Sequence, residues 1–233
     1  MRFQTPLVKG RLLRRYKRFL ADVALESGEE VTAHCPNPGS MMGLREPGLR
    51  VWVEPNDDPR KKLNYAWRVC QLADGTMVGI DTAVPNRVAK EALDARQVPA
   101  LAAYRSVRPE VAYGTRSRVD FLLTEPGLPD AYVEIKNVHL LRQDDWAEFP
   151  DCVTERGTKH LRELMEVKAQ GARAVMLYVI QHEGCARFRI AEDLDPAYAA
   201  AFEEARAAGV EMLARRCHVT LTGITLGPAI PIP

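Results

Sequence analysis

Between residues 117 and 136 the chain alternates, breaks and alternates again. The runs SRVDFLLT (117–124) and AYVEIK (131–136) flank EPGLPD (125–130), a connection rich in proline and glycine. Two alternating runs about such a break predict a β-hairpin. Centring it on Gly127 sets Asp120 opposite Glu134 and Arg118 opposite Lys136. Because successive side chains of a strand point to opposite faces, Val119, Phe121, Leu123, Val133 and Ile135 form an apolar face. Arg118, Asp120, Glu134 and Lys136 share the other. Facing residues hold their β-carbons about 5 Å apart, where like charges cost a few tenths of a kcal/mol to about 1. Something cationic must offset that cost. Mg²⁺, or Mn²⁺, fits: Mg²⁺ prefers oxygen and takes one or two carboxylates together with waters and phosphate oxygens. Lys136, two residues after Glu134, could neutralise charge, position a water or act as a base. The plainer alternative is a surface sheet on which Lys136 and Arg118 pair with the acids, and the spacing alone is a weak pattern.

The surrounding segments predict two domains, residues 1–82 and 83–233. Residues 7–81 hold short runs rich in Val, Leu and aromatics, broken by turn clusters such as CPNPGS (35–40) and EPNDDP (54–59). That spacing suggests a small all-β barrel or sandwich, and a five-stranded OB-like barrel fits the length. From residue 83 onward the pattern becomes α-β-β-β-α-β and then α-β, a mixed sheet flanked by helices. The first helix is expected at 86–96 with Asn86 as its cap. On it Glu91 follows Val88 by three and precedes Ala92, so an inward-facing acid, natural as a third metal carboxylate, competes with an exposed one. The second helix spans about 156–170, closed by Gly171, with Leu161, Leu164 and Met165 in its stripe. Arg156, Lys159, His160 and Glu163 lie beside that stripe and would form a mainly basic lip. ARAVMLYVI (172–180) reads as a buried strand, and Asp195-Pro196 opens a helix ending at Gly209.

Charge matters here through its distribution. The 233 residues carry 32 Lys and Arg against 31 Asp and Glu. Residues 1–18, however, hold Arg2, Lys9, Arg11, Arg14, Arg15, Lys17 and Arg18 and no acid. The segment Arg14, Arg15, Tyr16, Lys17, Arg18 interleaves cations with an aromatic ring, suited to phosphates and a stacked base. Phe19 is assigned to the barrel core, and Arg60, Lys61 and Lys62 add a second basic cluster. Nucleic acid is therefore the expected partner. No helix-turn-helix or zinc-finger pattern supports sequence-specific readout. Neither a Walker-type loop nor GxGxxG supports a sugar-metabolising enzyme. The five cysteines form no CxxC pair and read as buried, reduced thiols. No apolar run nears the roughly twenty residues of a membrane span, and the N-terminus lacks a secretory h-region, so a cytoplasmic protein is expected.

These residues together resemble the sugar fermentation stimulation protein A family. The likeness runs nearly end to end. It is carried by RYKRFLADV (15–23), HCPNPG (34–39), Asn86-Arg87, Lys90-Glu91-Ala92, RSRVDF (116–121), VEIK (133–136) and FPD (149–151). The most specific segment is TERGTKHLREL (154–164). The resemblance implies an N-terminal OB-like domain followed by a PD-(D/E)xK restriction-endonuclease-like α/β domain, in a family described as DNA-binding with a regulatory role in sugar (maltose) metabolism. By that likeness the metal acids fall on Asp120 and Glu134, with the Ile135 backbone carbonyl beside them, the lysine on Lys136 and a first-helix acid on Glu91. Val119 stands where the nuclease motif has proline. Two functions follow as expectations: a divalent-metal-dependent nuclease, or a non-specific DNA-binding regulator without catalysis.

Overall fold

The computed structural model describes residues 1–113 and 117–233; Arg116, part of one motif above, lies outside the described residues. The N-terminal strands are β1 (Val8–Tyr16), β2 (Leu20–Leu25), β3 (Glu30–His34), β4 (Arg50–Pro55), β5 (Tyr65–Gln71) and β6 (Met77–Gly79). β1 pairs with β2 and β4, β2 with β3, and β4 with β5, all antiparallel. A parallel pairing of β3 with β5 closes five strands into a barrel, and β6 extends β5. Strict alternation in LADVAL buries Ala21, Val23 and Leu25 against Leu12, Val51, Val53 and Trp67. Gly10 is needed where β1 crosses β2, since a β-carbon there would lie 2.5 Å from Val23 Cγ1.

The second half contains α1 (Val84–Asp94), a 3-10 turn (Pro99–Leu101), β7 (Ser106–Tyr113), β8 (Ser117–Thr124), β9 (Ala131–Val138), β10 (Leu140–Leu141), β11 (Trp146–Phe149) and α2 (Glu155–Ala169). It continues with β12 (Arg173–Ile180), β13 (Arg187–Ile190), α3 (Pro196–Ala207), β14 (Glu211–Val219) and β15 (Ile224–Ala229). One six-stranded sheet runs β15-β14-β12-β9-β8-β7, with β9, β12 and β14 parallel and the outer strands antiparallel. Helix α1 covers one face through Val84, Val88 and Leu93. Helices α2 and α3 cover the other through Leu161, Leu164, Tyr198 and Phe202. Covered on both sides, β12 is buried from Ala174 to Ile180, as a central parallel strand requires.

Several expectations change. Helix α1 starts at Val84, two residues early, because Pro85 suits a first turn and Asp81 accepts the Ala83 N–H at 2.9 Å. Asn86 is therefore inside the helix and does not cap it. Val119 packs with Tyr113, Leu122 and Val167, not with Phe121. The pairing of β8 with β9 covers only Phe121 to Leu123, and beyond it the strand is free to turn its side chains. The small sheet β10-β11-β13 went unseen because strands of two to four residues leave no period. Strand β15 carries Pro228, which an edge position tolerates. Cys152 is exposed, the other four thiols are buried and all five are free. No helix among the described residues is long and apolar enough to cross a membrane.

The barrel and the sheet are joined through backbone and side chain. Gly79 N–H donates to the Gln181 carbonyl at 2.8 Å, and Ser40 N–H to Asp151 at 3.0 Å. Within the second half one buried carboxylate ties two helices. Asp195 caps α3 by accepting from Tyr198 N at 3.0 Å, and its other oxygen accepts from Thr154 N, the α2 cap residue, at 2.8 Å. Asp195→Ala is expected to cost about 2–4 kcal/mol, a lost cap plus an orphaned amide, and Asp195→Asn less, since its single carbonyl oxygen still satisfies one amide. Urea unfolding checks both, and a loss below about 1 kcal/mol for alanine contradicts the linkage.

Candidate active site

Gly127, with φ +83°, lets the hairpin turn tightly. The register pairs Phe121 with Val133, Leu122 with Tyr132 and Leu123 with Ala131, which is the Gly127-centred frame. One residue further Asp120 replaces the ladder with its side chain. Its Oδ2 accepts the Ile135 N–H at 2.7 Å, and its Oδ1 accepts from Asn86 Nδ2, reaching down from α1, at 2.6 Å. Glu134 faces α2. Its Oε1 accepts from Lys136 Nζ at 3.0 Å and from His160 Nδ1. Arg156 Nε donates to His160 Nε2 at 3.2 Å, so that nitrogen must be the acceptor and Nδ1 carries the proton. Arginine, histidine and glutamate thus form a relay from the helix surface to the strand.

The two acids differ in electrostatics. Burial, and then the Glu134 charge, push the Asp120 carboxyl above its ordinary range, against the Ile135 N–H and Asn86. Burial opposes ionisation of Glu134 too, but His160 and Lys136 overcome it and hold that carboxyl below the usual value. The Glu134 side chain is 3 % exposed and that of Lys136 12 %. Glu134 Oε2 is buried with no partner among the described residues, as are Glu163 Oε2 and the Tyr113 hydroxyl. Tyr113 is pushed upward by burial and by the charges of Glu134, Glu163 and Asp120. Ser117 Oγ donates to Glu163 at 2.5 Å and accepts from Lys159 Nζ at 3.1 Å, closing the outer side.

Family models match both halves: the SfsA N-terminal OB domain over residues 13–80 and the sugar fermentation stimulation protein RE domain over residues 83–223. The chain belongs to the sugar fermentation stimulation protein family. A sugar fermentation stimulation protein homolog of Dinoroseobacter shibae is 64 % identical over 233 residues, covering 100 % of this chain and 96 % of the relative. One from Jannaschia sp. is 61 % identical, covering 100 % and 97 %. Among solved structures, Pyrococcus furiosus SfsA in complex with Ca²⁺ superposes with a TM-score of 0.87 at 27 % identity, covering 99 % of this chain and 96 % of that one.

In this family member Asp120, Glu134 and Lys136 come together. Glu91 does not join them. Its side chain is 60 % exposed and pairs with the Met1 amine at 2.6 Å. No three His, Cys, Asp or Glu side chains gather as a metal cluster among the described residues. The buried face of α1 is Val84, Pro85, Val88, Ala89, Ala92 and Leu93, and Glu91 falls outside it, the exposed alternative; α1 presents Asn86 to the site instead, a residue whose position beside Pro85 signalled only a cap. His160 is buried and belongs to the relay, not to a basic lip, while Arg156 and Lys159 are exposed. On the barrel Arg14 and Tyr16 both engage Asp22, at 2.7 and 3.1 Å. Arg15 spends its guanidinium on the carbonyls of Arg18, Asn37 and Gly39. Arg60 is held by Asp58 at 2.9 Å. Lys17, Arg18, Lys61 and Lys62 are exposed and have no ion-pair partner among the described residues. Phe19, assigned to the core, is 47 % exposed, because it follows the tip of the β1–β2 turn and lies outside the barrel wall.

A carboxyl whose pKa rises on folding stabilises the fold only at low pH, and that contribution is lost as pH rises through the folded value. At neutral pH the Asp120 charge is therefore a liability. In EDTA, Asp120→Asn is expected to raise the melting midpoint by about 1–4 °C, a gain that shrinks as pH falls through the raised Asp120 pKa. A lower midpoint at pH 7 would mean that the hydrogen bonds of Asp120 outweigh its charge cost.

Proposed function

We propose that the chain binds nucleic acid, DNA foremost, and hydrolyses phosphodiester bonds with Mg²⁺ or Mn²⁺ held by Asp120, Glu134 and the Ile135 backbone carbonyl. The observation that carries this reading is the pair of carboxylates, Glu134 buried and Asp120 half-buried, at the open end of the β8–β9 ladder. One has an unpartnered oxygen, Glu134 Oε2, and the Lys136 ammonium sits 3.0 Å from the other oxygen of that group. The donors fit the ion: carboxylate and carbonyl oxygens with room for water and phosphate oxygens match magnesium's preference. Ile135 turns its N–H toward β8, and in an antiparallel strand the carbonyl of the same residue faces the same edge. The relative solved with Ca²⁺ adds support, since that cation also takes oxygen ligands.

When bound, such an ion supplies Lewis-acid stabilisation at a phosphoryl oxygen and a more acidic water. The protein's own groups do the positioning. Asn86 and the Ile135 amide fix the Asp120 carboxylate. His160, braced by Arg156, fixes Glu134 and keeps it ionised. Lys136 stands where it orients the attacking water and offsets the charge that develops on the phosphoryl group. Exposed Arg156 and Lys159 beside the site, and the cations of the barrel, contact phosphates without reading sequence.

Lys136→Ala is expected to lower single-turnover cleavage of DNA in Mg²⁺ or Mn²⁺ at least about 10²-fold and to leave affinity within about twofold. Equal cleavage by mutant and parent would assign the activity to a contaminant. If the parent cuts neither single- nor double-stranded DNA or RNA with either metal, the catalytic half of the reading fails and a binding protein remains.

A further inference from the structure

The strand register brings three loops to one rim of the barrel. Leu20 pairs with His34, His34 with Ala66, and Ala66 with Glu54. The β1–β2 turn, the end of β3 and the β4–β5 loop therefore adjoin. On this rim the Phe19 ring lies nearly parallel to the His34 ring, at 18° and 6.5 Å between centroids. Beside His34 opens a cavity of about 380 Å³ lined by Lys61, Lys62, Leu63, Tyr65 and Arg68.

Two features set the rim apart from an ordinary solvated surface. Lys17 and Arg18 adopt left-handed backbone, φ +48° and +62°, without being glycine. Side chains with a β-carbon are sterically disfavoured in that conformation. The turn is held in place by Phe19 N–H donating to the Lys17 carbonyl at 2.8 Å and Arg15 to the Arg18 carbonyl at 3.0 Å. Its effect is to present two cations and an aromatic ring outward. The second feature is the division of charge. Arg68 is neutralised by Glu54 and Asp81, and Arg60 by Asp58, whereas Lys17, Arg18, Lys61 and Lys62 have no ion-pair partner among the described residues. The rim is a cationic surface with an exposed ring face at its centre.

We propose that this rim is a subsite for single-stranded nucleic acid, on which one base stacks against Phe19 beside His34 while Lys61, Lys62, Lys17 and Arg18 hold the flanking phosphates. It rests on the nucleic-acid reading above and adds which strand state the barrel takes. The ring decides that state. Bases inside a duplex are already stacked on both faces and can meet Phe19 only by leaving the helix, whereas a single strand offers its base faces freely. Lysines without a ring would hold either form.

The test is fluorescence anisotropy in EDTA with the full chain, a short labelled oligo(dT) and a hairpin duplex of equal length. Phe19→Ala is expected to weaken oligo(dT) binding about tenfold and duplex binding less than about twofold, and Phe19→Trp to retain affinity. Phe19→Leu, which keeps apolar bulk without the ring, gives the same reading should the alanine variant lose its fold. Lys61→Gln with Lys62→Gln should lower the single-strand salt slope by roughly 0.7 per lost contact. Equal losses on both ligands, an unchanged Phe19→Ala, or a parent that ignores oligo(dT) and oligo(U) overturns the proposal. EDTA removes the chemistry and Lys136 lies in the other half of the chain. A failed rim thus leaves the cleavage reading standing, and absent cleavage leaves the rim standing.

Discussion

Two carboxylates taken out of water on neighbouring strands repel each other more than the same pair would on a surface, because less solvent screens them. Asp120 and Glu134 stand in that relation, and much of the second half of the molecule is arranged around it. The β8–β9 ladder stops one residue short of Asp120, so the side chain, not the backbone, satisfies the Ile135 amide. Asn86 is drawn down from α1 to supply a second donor. Glu134 is kept ionised by two donors of different kinds: an imidazole N–H oriented from α2, and an ammonium two residues along its own strand. The two acids end in opposite electrostatic states, one pushed toward protonation and one away from it.

Holding like charges together needs a stiff frame. The frame is the parallel core β9-β12-β14, with helices on both faces. Asp195 locks the entry of α2 to that of α3, and through α2 it fixes where His160 and Arg156 stand. Tyr178 and Tyr198 share a buried hydroxyl contact of 2.6 Å beneath them, so the face that carries the relay is also polar-linked in its core. The site is built by elements far apart in the chain: α1 gives Asn86, β8 and β9 the acids and the lysine, and α2 the histidine.

The barrel follows a different logic. Most of its arginines are consumed internally, by Asp22, Asp58, Glu54, Asp81 or backbone carbonyls, and so act as braces for the wall. Its outward chemistry is concentrated in the few cations left without acids and in one exposed ring. A basic run in sequence is therefore a poor guide to charge available for a ligand; what counts is which cations remain after the internal pairs are made.

Local information was enough for elements whose signal spans several residues. The hairpin about Gly127 and its register were readable because strand alternation has period two and the Pro/Gly break permits few centres. The cap at Asp195 and the buried β12 were legible for similar reasons, whereas the cap at Thr154 was not read from the sequence. The adjacency of Asp120, Glu134 and Lys136 followed, since all three lie on one hairpin. What needed tertiary structure was every residue whose role depends on a partner remote in sequence. Glu91 could face in or out by phase and is outward, because the buried face of α1 centres on Val88, Ala89, Ala92 and Leu93 and the Met1 amine pairs with it. Asn86 looked like a cap and is a donor to a strand residue 34 positions on. His160 looked like a surface cation and is the buried orienter of Glu134. Phe19 looked like core and stands outside the wall. Periodicity says which residues share a face of one element; which element that face meets is settled only when the chain packs, by burial and hydrogen-bond satisfaction acting over the whole fold.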